Sequence, residues 1–246
     1  MVTSAREHFG RVASAYATST PHARGEELAR LAALVPPGAR LLDVGTGAGH
    51  ALAATAERAS LAIGLDATPQ MLAVARDVLR GRDVVAQLVE ADSASLPFAT
   101  SSIDVVVSRL AAHHFPAVEH AFGEIARVLR HSGVFLFVDN YAPDEPMLER
   151  WLDELERTRD PSHVRSHTLT GWLSLMKQAG FATRVDATLV TALDTEDWLV
   201  RSQTSEPNAR RAREMLRTAT PTARETFRIH DRGFSLLKAL IVATPL

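Results

Sequence analysis

Residues 41–49 read Leu41-Leu42-Asp43-Val44-Gly45-Thr46-Gly47-Ala48-Gly49, an apolar run that leads through one acid into three glycines at alternate positions. Glycine lets a chain turn tightly and lets its backbone approach a ligand, and the helix start that follows presents free N–H groups. The next apolar run, Leu61–Leu65, ends in Asp66. That acid lies about 20 residues on, where a carboxylate can accept from both hydroxyls of a ribose. A plain strand-to-helix turn with an acidic cap for the next helix would explain the same residues without a ligand. Context and spacing together favour a nucleoside site.

Working outward, short apolar runs alternate with amphipathic helices. Arg40–Val44, Leu61–Leu65, Val84–Val89, Ile103–Val107 and Val134–Val138 read as strands. Between them fall helices over His50–Ala59, 69–80 (with Thr68 as cap and Pro69 at the first position) and Pro116–Arg130, which Gly133 stops. Such alternation predicts an α/β, doubly wound parallel sheet covered on both faces, with ligands at the carboxyl ends of its strands. Upstream, 1–35 reads as helix until Pro36-Pro37-Gly38. Downstream, Glu145–Arg159, Leu169–Gln178 and the Arg-rich Pro207–Thr218 read as helices. Ala182–Val190 and Phe234–Val242 read as strands, the second as an antiparallel edge. The expected organisation is a single domain over 1–246, with helices over 1–37, a core over 38–140 and a helical cover with two last strands over 141–246.

The 246 residues are 46% hydrophobic and 23% charged with a formal net charge of −2, as in an ordinary globular protein. The absence of cysteine excludes disulfides, thiolate metal sites and a Cys nucleophile. No apolar run reaches the ~18 residues of a membrane span, and the N-terminus lacks a signal-peptide core, so a cytoplasmic protein without membrane partners is expected. Near-neutral charge argues against nucleic acid as a partner. Only Lys177 and Lys238 among 27 basic side chains are lysines, read here as genomic base bias. Residues 144–160 are strongly acidic and 198–232 rich in arginine, which suits solvated helices, or complementary faces within the cover or in a homodimer.

The loop is G-x-G-x-G followed by His50, not the G-x-G-x-x-G of a dinucleotide site. Asp43 beside it is ill suited to a pyrophosphate but suits a ligand carrying an ammonium and a sulfonium. Glu90-Ala91-Asp92-Ser93, after the third strand, can offer an acceptor to an adenine amino group and an N–H to a ring nitrogen. This order resembles the class I S-adenosylmethionine-dependent methyltransferases. Leu96-Pro97-Phe98 through Val107, His113-His114-Phe115 and Glu124 through Gly133 are similar to the small-molecule group that includes the ubiquinone/menaquinone-biosynthesis C-methyltransferases. Looser likeness extends to Asp160–Arg165 and Ala179-Gly180-Phe181. At Arg130–Gly133 the chain departs from the family's Lys-Pro-Gly-Gly, in a turn away from the chemistry.

The resemblance implies a Rossmann-like, mostly parallel seven-stranded sheet with an N-terminal helical lid, and S-adenosylmethionine as cofactor. It implies that Asp43, Gly45, Gly47 and Gly49 line the methionine half, that Asp66 holds the ribose, and that Ala67 and Met71 lie against the adenine. Asp92 and Ser93 would read the adenine edge, and Arg109 would place a carbonyl near the cofactor's amino group. Tyr16 matches the lid aromatic, with packing of the first helix as the alternative.

Methyl transfer from a sulfonium is an in-line displacement for which the protein aligns the reactants and excludes water. A base is needed only where the acceptor still carries a proton. His113 and His114 stand at the ligand-facing rim as candidate bases; packing under the sheet end and capping the next helix are the alternatives. His163 and His167 lack a third ligand nearby, so no metal is expected. Arg165 suits either a substrate anion or an ion pair with helix 144–160, and Asn140 or Tyr141 can orient a substrate oxygen. The chain lacks the Asp/Asn-Pro-Pro-Tyr/Phe signature of methyltransferases acting on exocyclic or amide nitrogens. The expected activity is methylation of a small organic molecule at O, N or activated C. A nicotinamide-dependent oxidoreductase, or a protein that binds the cofactor without methyl transfer, are the rival readings.

Overall fold

The computed structural model describes residues 4–246. Residues 1–3, at the start of the expected lid, lie outside the described residues. Seven strands form one sheet: β1 (Ala39–Val44), β2 (Ala59–Asp66), β3 (Gln87–Glu90), β4 (Ile103–Arg109), β5 (Leu129–Asn140), β6 (Phe181–Asp194) and β7 (Gly233–Pro245). Their order is β3-β2-β1-β4-β5-β7-β6, parallel from β3 to β5, with β7 antiparallel to both neighbours.

The helices around it are α1 (Ala5–Ala17), α2 (Thr20–Ala23), α3 (Glu27–Leu34), α4 (His50–Thr55), α5 (Pro69–Arg80) and α6 (Val118–Val128). After β5 come α7 (Pro146–Arg159), α8 (Leu169–Gln178), α9 (Thr195–Arg201), α10 (Glu206–Arg217) and α11 (Pro221–Thr226). The two-residue period of the strands sorts the core. Leu42, Val106, Phe137 and Ile241 pack with Phe122 of α6 and Trp172 and Met176 of α8. Leu41, Val105, Leu136 and Leu240 face the other way, against Leu31 of α3 and Leu52 of α4. Each such side chain, fully buried, contributes about 2 kcal/mol. A third cluster joins Leu152, Trp198, Leu216 and Phe227 of α7, α9, α10 and the end of α11 to Phe234 and Leu236, so the cover packs on the β7 end of the sheet.

The structure departs from the sequence expectations at boundaries and at one topological point. The N-terminal helix is broken into α1, α2 and α3. Gly25 lies in the second break, where an added Cβ would fall 2.2 Å from Glu27 Oε1 and 2.6 Å from Arg109 Nη2. The third strand begins at Gln87, because Val84 N–H still bonds to the Leu79 carbonyl of α5 and Val85 is 92% exposed. Leu129 leaves α6 to pair with Ile103, so Gly133 sits within β5 and ends no helix. Thr68 makes no side-chain cap; the Asp66 carboxylate accepts its N–H at 2.9 Å instead. Finally, β7 is interior and β6 is the edge, a matter of pairing partners that no local pattern encodes. No helix among the described residues is long and apolar enough to cross a membrane.

Candidate functional site

The parallel strands deliver their carboxyl ends to one rim, and the first two loops there hold each other. Gly45 and Thr46 N–H both donate to the Leu65 carbonyl at 2.9 Å, and Gly47 N–H donates to Asp66 Oδ2 at 2.9 Å. Gly47 has a φ of +53° with nothing within 4 Å of where a Cβ would stand, so its backbone is open to a ligand. Asp43, at 1% exposure, accepts from Thr46 Oγ1 at 2.7 Å through Oδ2, while Oδ1 is buried with no partner. Burial, only partly offset by the Thr46 hydrogen bond, pushes the Asp43 carboxyl up to about 6. Burial also raises Asp66, against the two backbone N–H bonds it accepts.

These groups open on a cavity of about 650 Å³. Its walls include Tyr16, Asp43, Gly45, Gly47, Asp66 and Ala67, with Met71, Asp92, Ser93 and Arg109 further round. Gly49 is not among them: at the start of α4, with a φ of +80°, its Cβ position lies 3.1 Å from the Ala75 Cβ, so it serves helix packing. Asp92 Oδ1 accepts the Ala94 N–H at 2.8 Å, and Arg6 of α1 reaches Glu90 at 2.7 Å beside it on the cavity wall. Tyr16 packs within the first helix's apolar cluster and also faces the cavity. It is buried against Val12 and Met71, and its hydroxyl accepts from Arg159 Nη2 at 3.3 Å.

His113 and His114 part company. His113 Nδ1 lies 2.6 Å from Oδ1 of the fully buried Asp139, whose Oδ2 accepts the Ala112 N–H at 2.9 Å. A carboxylate only accepts, so Nδ1 carries a proton in either form and Nε2 offers a lone pair when the ring is neutral, on a ring that lines the cavity. Burial opposes the imidazolium, but the charge and hydrogen bond of Asp139 outweigh it and His113 titrates above the ordinary histidine range. His114 is buried, bonds to the Ser162 carbonyl through Nδ1 at 3.2 Å and meets Phe9 of α1 edge to face. Burial and then the neighbouring His113 hold it well below the ordinary value, hence neutral. It caps no helix. His163 turns to Ser166 and Asp153, His167 packs on Trp172, and Arg165 pairs with Glu149 of α7 at 3.0 Å.

Cationic side chains line the cavity as well. Arg109 ends β4, and its side chain meets Glu27 at 2.5 Å; Lys238 of β7 meets the same Glu27 Oε1 at 2.9 Å, all three buried. Burial would raise the Glu27 carboxyl, yet the two cations hold it below its usual range; burial lowers Lys238. Arg159, at the end of α7, pairs with Glu156 at 3.0 Å and lies 5.2 Å from the Trp198 ring centre.

A family model described as a methyltransferase domain matches residues 42–137. An uncharacterized methyltransferase of Bacillus subtilis, YcgJ, is 34% identical over 222 residues, covering 89% of this chain and 88% of YcgJ. This chain belongs to the methyltransferases. The crystal structure of YcgJ superposes with a TM-score of 0.83, covering 89% of this chain and 96% of that one. A putative methyltransferase from Bacillus halodurans gives 0.84 at 29% identity, over 90% and 100% of the two chains. The ubiquinone/menaquinone biosynthesis C-methyltransferase UbiE of Rhizobium meliloti is 35% identical over 133 residues, about half of either chain.

S-adenosylmethionine is the methyltransferase's cofactor, and the residues present fit it. The orphaned Asp43 Oδ1 awaits a cationic or N–H partner, Gly47 leaves backbone room, and Asp66 stands at the second strand end. The nicotinamide reading is thereby set aside. Of the candidates for the cofactor and for proton transfer, all but Gly49 line one cavity in the methyltransferase; of those for the substrate, Asn140 lines it too, whereas Tyr141, His163, Arg165 and His167 do not. Sequence reasoning missed Glu27, Arg159, Arg201 and Lys238. A lysine amid the apolar Phe234–Val242 run was the one signal that could have exposed them.

Proposed function

We propose that this methyltransferase methylates a small organic molecule at an oxygen, nitrogen or acidic carbon that keeps its proton until attack, and that His113 removes that proton. When bound, S-adenosylmethionine supplies an electrophilic methyl group. Everything else falls to the chain's own residues. Asp43, Asp66, Met71, Asp92 and Ser93 bind the cofactor, with Gly45, Gly47 and Ala67 giving it room and Tyr16 closing from the lid. Asp139 fixes the His113 tautomer, so that Nε2 takes the acceptor's proton and the imidazolium formed is held beside the carboxylate. His114, kept neutral, positions the neighbouring ring and the lid residue Phe9. The observation that carries this reading is the 2.6 Å Asp139–His113 contact on a cavity wall. A concave cavity of about 650 Å³ supports a metabolite as acceptor.

The test is transfer of radiolabelled methyl from S-adenosylmethionine over a metabolite panel with wild type, His113→Asn and His114→Asn. His113→Asn should lose about 10²–10⁴-fold in turnover, the usual span of general-base catalysis, with cofactor affinity kept. Full turnover by that variant on every accepted substrate would refute the assignment.

A further inference from the structure

The cavity is divided by charge. Asp43, Asp66, Glu90 and Asp92 line the end built from β1, β2 and β3, whereas Arg109, Arg159, Arg201 and Lys238 line the end that β4, β7 and the cover supply. Three of those cations are answered: Glu27 serves Arg109 and Lys238, and Glu156 serves Arg159. Arg201 is different. It is the last residue of α9, half-buried on the cavity wall, and its Nε is buried without a hydrogen-bond partner. Among the described residues no carboxylate forms an ion pair with it within 4.0 Å. Arg159 beside it also has a buried Nε without a partner.

A guanidinium N–H withdrawn from water without a partner, as at the Arg201 Nε, is unfavourable. It is also the group best shaped to take two oxygens of a planar anion. The surrounding wall, Leu193, Trp198 and Leu236, suits the apolar body of a ligand. We propose that the methyl acceptor carries a carboxylate or equivalent oxyanion, that Arg201 binds it with Arg159 alongside, and that this contact selects anionic over neutral acceptors. The proposal rests on the cavity being the site of methyl transfer. The cofactor's own carboxylate is the other source of such an anion. Sheet order favours the acceptor, since α9 follows the edge strand β6, which β4, β5 and β7 separate from the strands that carry Asp43 and Asp66.

The experiment uses the full-length protein saturated with S-adenosylhomocysteine and titrated by calorimetry with benzoate and with benzamide, its neutral isostere. Benzoate should bind wild type at least tenfold more tightly than benzamide. Arg201→Gln should abolish that preference, and Arg201→Lys should restore part of it. Equal affinity for the two probes, or no benzoate binding at millimolar concentration, would overturn the proposal on wild type alone, whether or not a variant folds. A second arm compares S-adenosylhomocysteine with 5′-methylthioadenosine, which lacks the amino-acid carboxylate. If Arg201→Gln weakens the first tenfold and leaves the second unchanged, the anion is the cofactor's and the proposal fails. Absence of S-adenosylhomocysteine binding to wild type, measured first, would instead refute the methyltransferase site on which the proposal rests.

Discussion

Replacing Asp43 by asparagine should make the ligand-free protein more stable at alkaline pH and the site worse. The carboxylate is 1% exposed, has one hydrogen bond through Oδ2, and titrates at about 6 instead of 3.8 because burial disfavours its charge. At 1.36 kcal/mol per pH unit, the ionised group is roughly 3 kcal/mol less favourable in the folded chain than in the unfolded one. The sign follows from which state holds the proton more tightly, here the folded one. Wild type therefore carries the full penalty above about pH 6 and sheds it as pH falls towards 4. The asparagine variant has no such dependence, but its buried amide inherits the unpaired position at about 1–2 kcal/mol. A net gain of about 1–2 kcal/mol at pH 8 corresponds to a rise of a few degrees in Tm for a chain of this size. Thermal melts from pH 8 to pH 4.5, with and without S-adenosylhomocysteine, read both effects. The gain should vanish in acid, and the ligand should stabilise wild type more than the variant. A difference that ignores pH, or equal stabilisation by the ligand, would refute the reasoning.

Asp66→Ala should lose at least ~1.4 kcal/mol of cofactor affinity, a tenfold rise in Kd by calorimetry, with an unchanged circular dichroism spectrum; unchanged affinity removes Asp66 from the site. Glu27→Gln strands the buried Arg109 and Lys238 cations and should destabilise the fold by about 3–5 kcal/mol in denaturant melts; a loss under 1 kcal/mol would show that the three charges are not a buried unit. Asp139 raises the His113 pKa, and only the neutral ring accepts a proton, so wild-type turnover should rise with pH through a midpoint above that of ordinary histidine. Asp139→Asn should move that limb towards acid and lower kcat; a limb that stays in place excludes His113 as the group that titrates.

The strand–helix alternation and the glycine loop were legible because both are local. An apolar run, a two-residue period or a positive-φ requirement at Gly47 is written in neighbouring residues and survives without tertiary contacts. The acidic end of the cavity was readable for the same reason, since parallel strands send Asp43, Asp66 and Asp92 to one rim by construction. Pairing was not readable in the same way. Nothing near Phe234–Val242 says that β7 enters between β5 and β6, and nothing near Glu27 says that Arg109 and Lys238 will meet on one of its oxygens. The roles of the two histidines also waited on the fold, because Asp139 reaches His113 only through the β4–β5 register, while Ser162 holds His114 from the cover. Local pattern thus decided the scaffold and the acidic rim at its strand ends. The cationic end, assembled from α3, β4, α7, α9 and β7, was decided by packing, since burial and Coulomb pairing between distant segments exist only once the chain has closed around them.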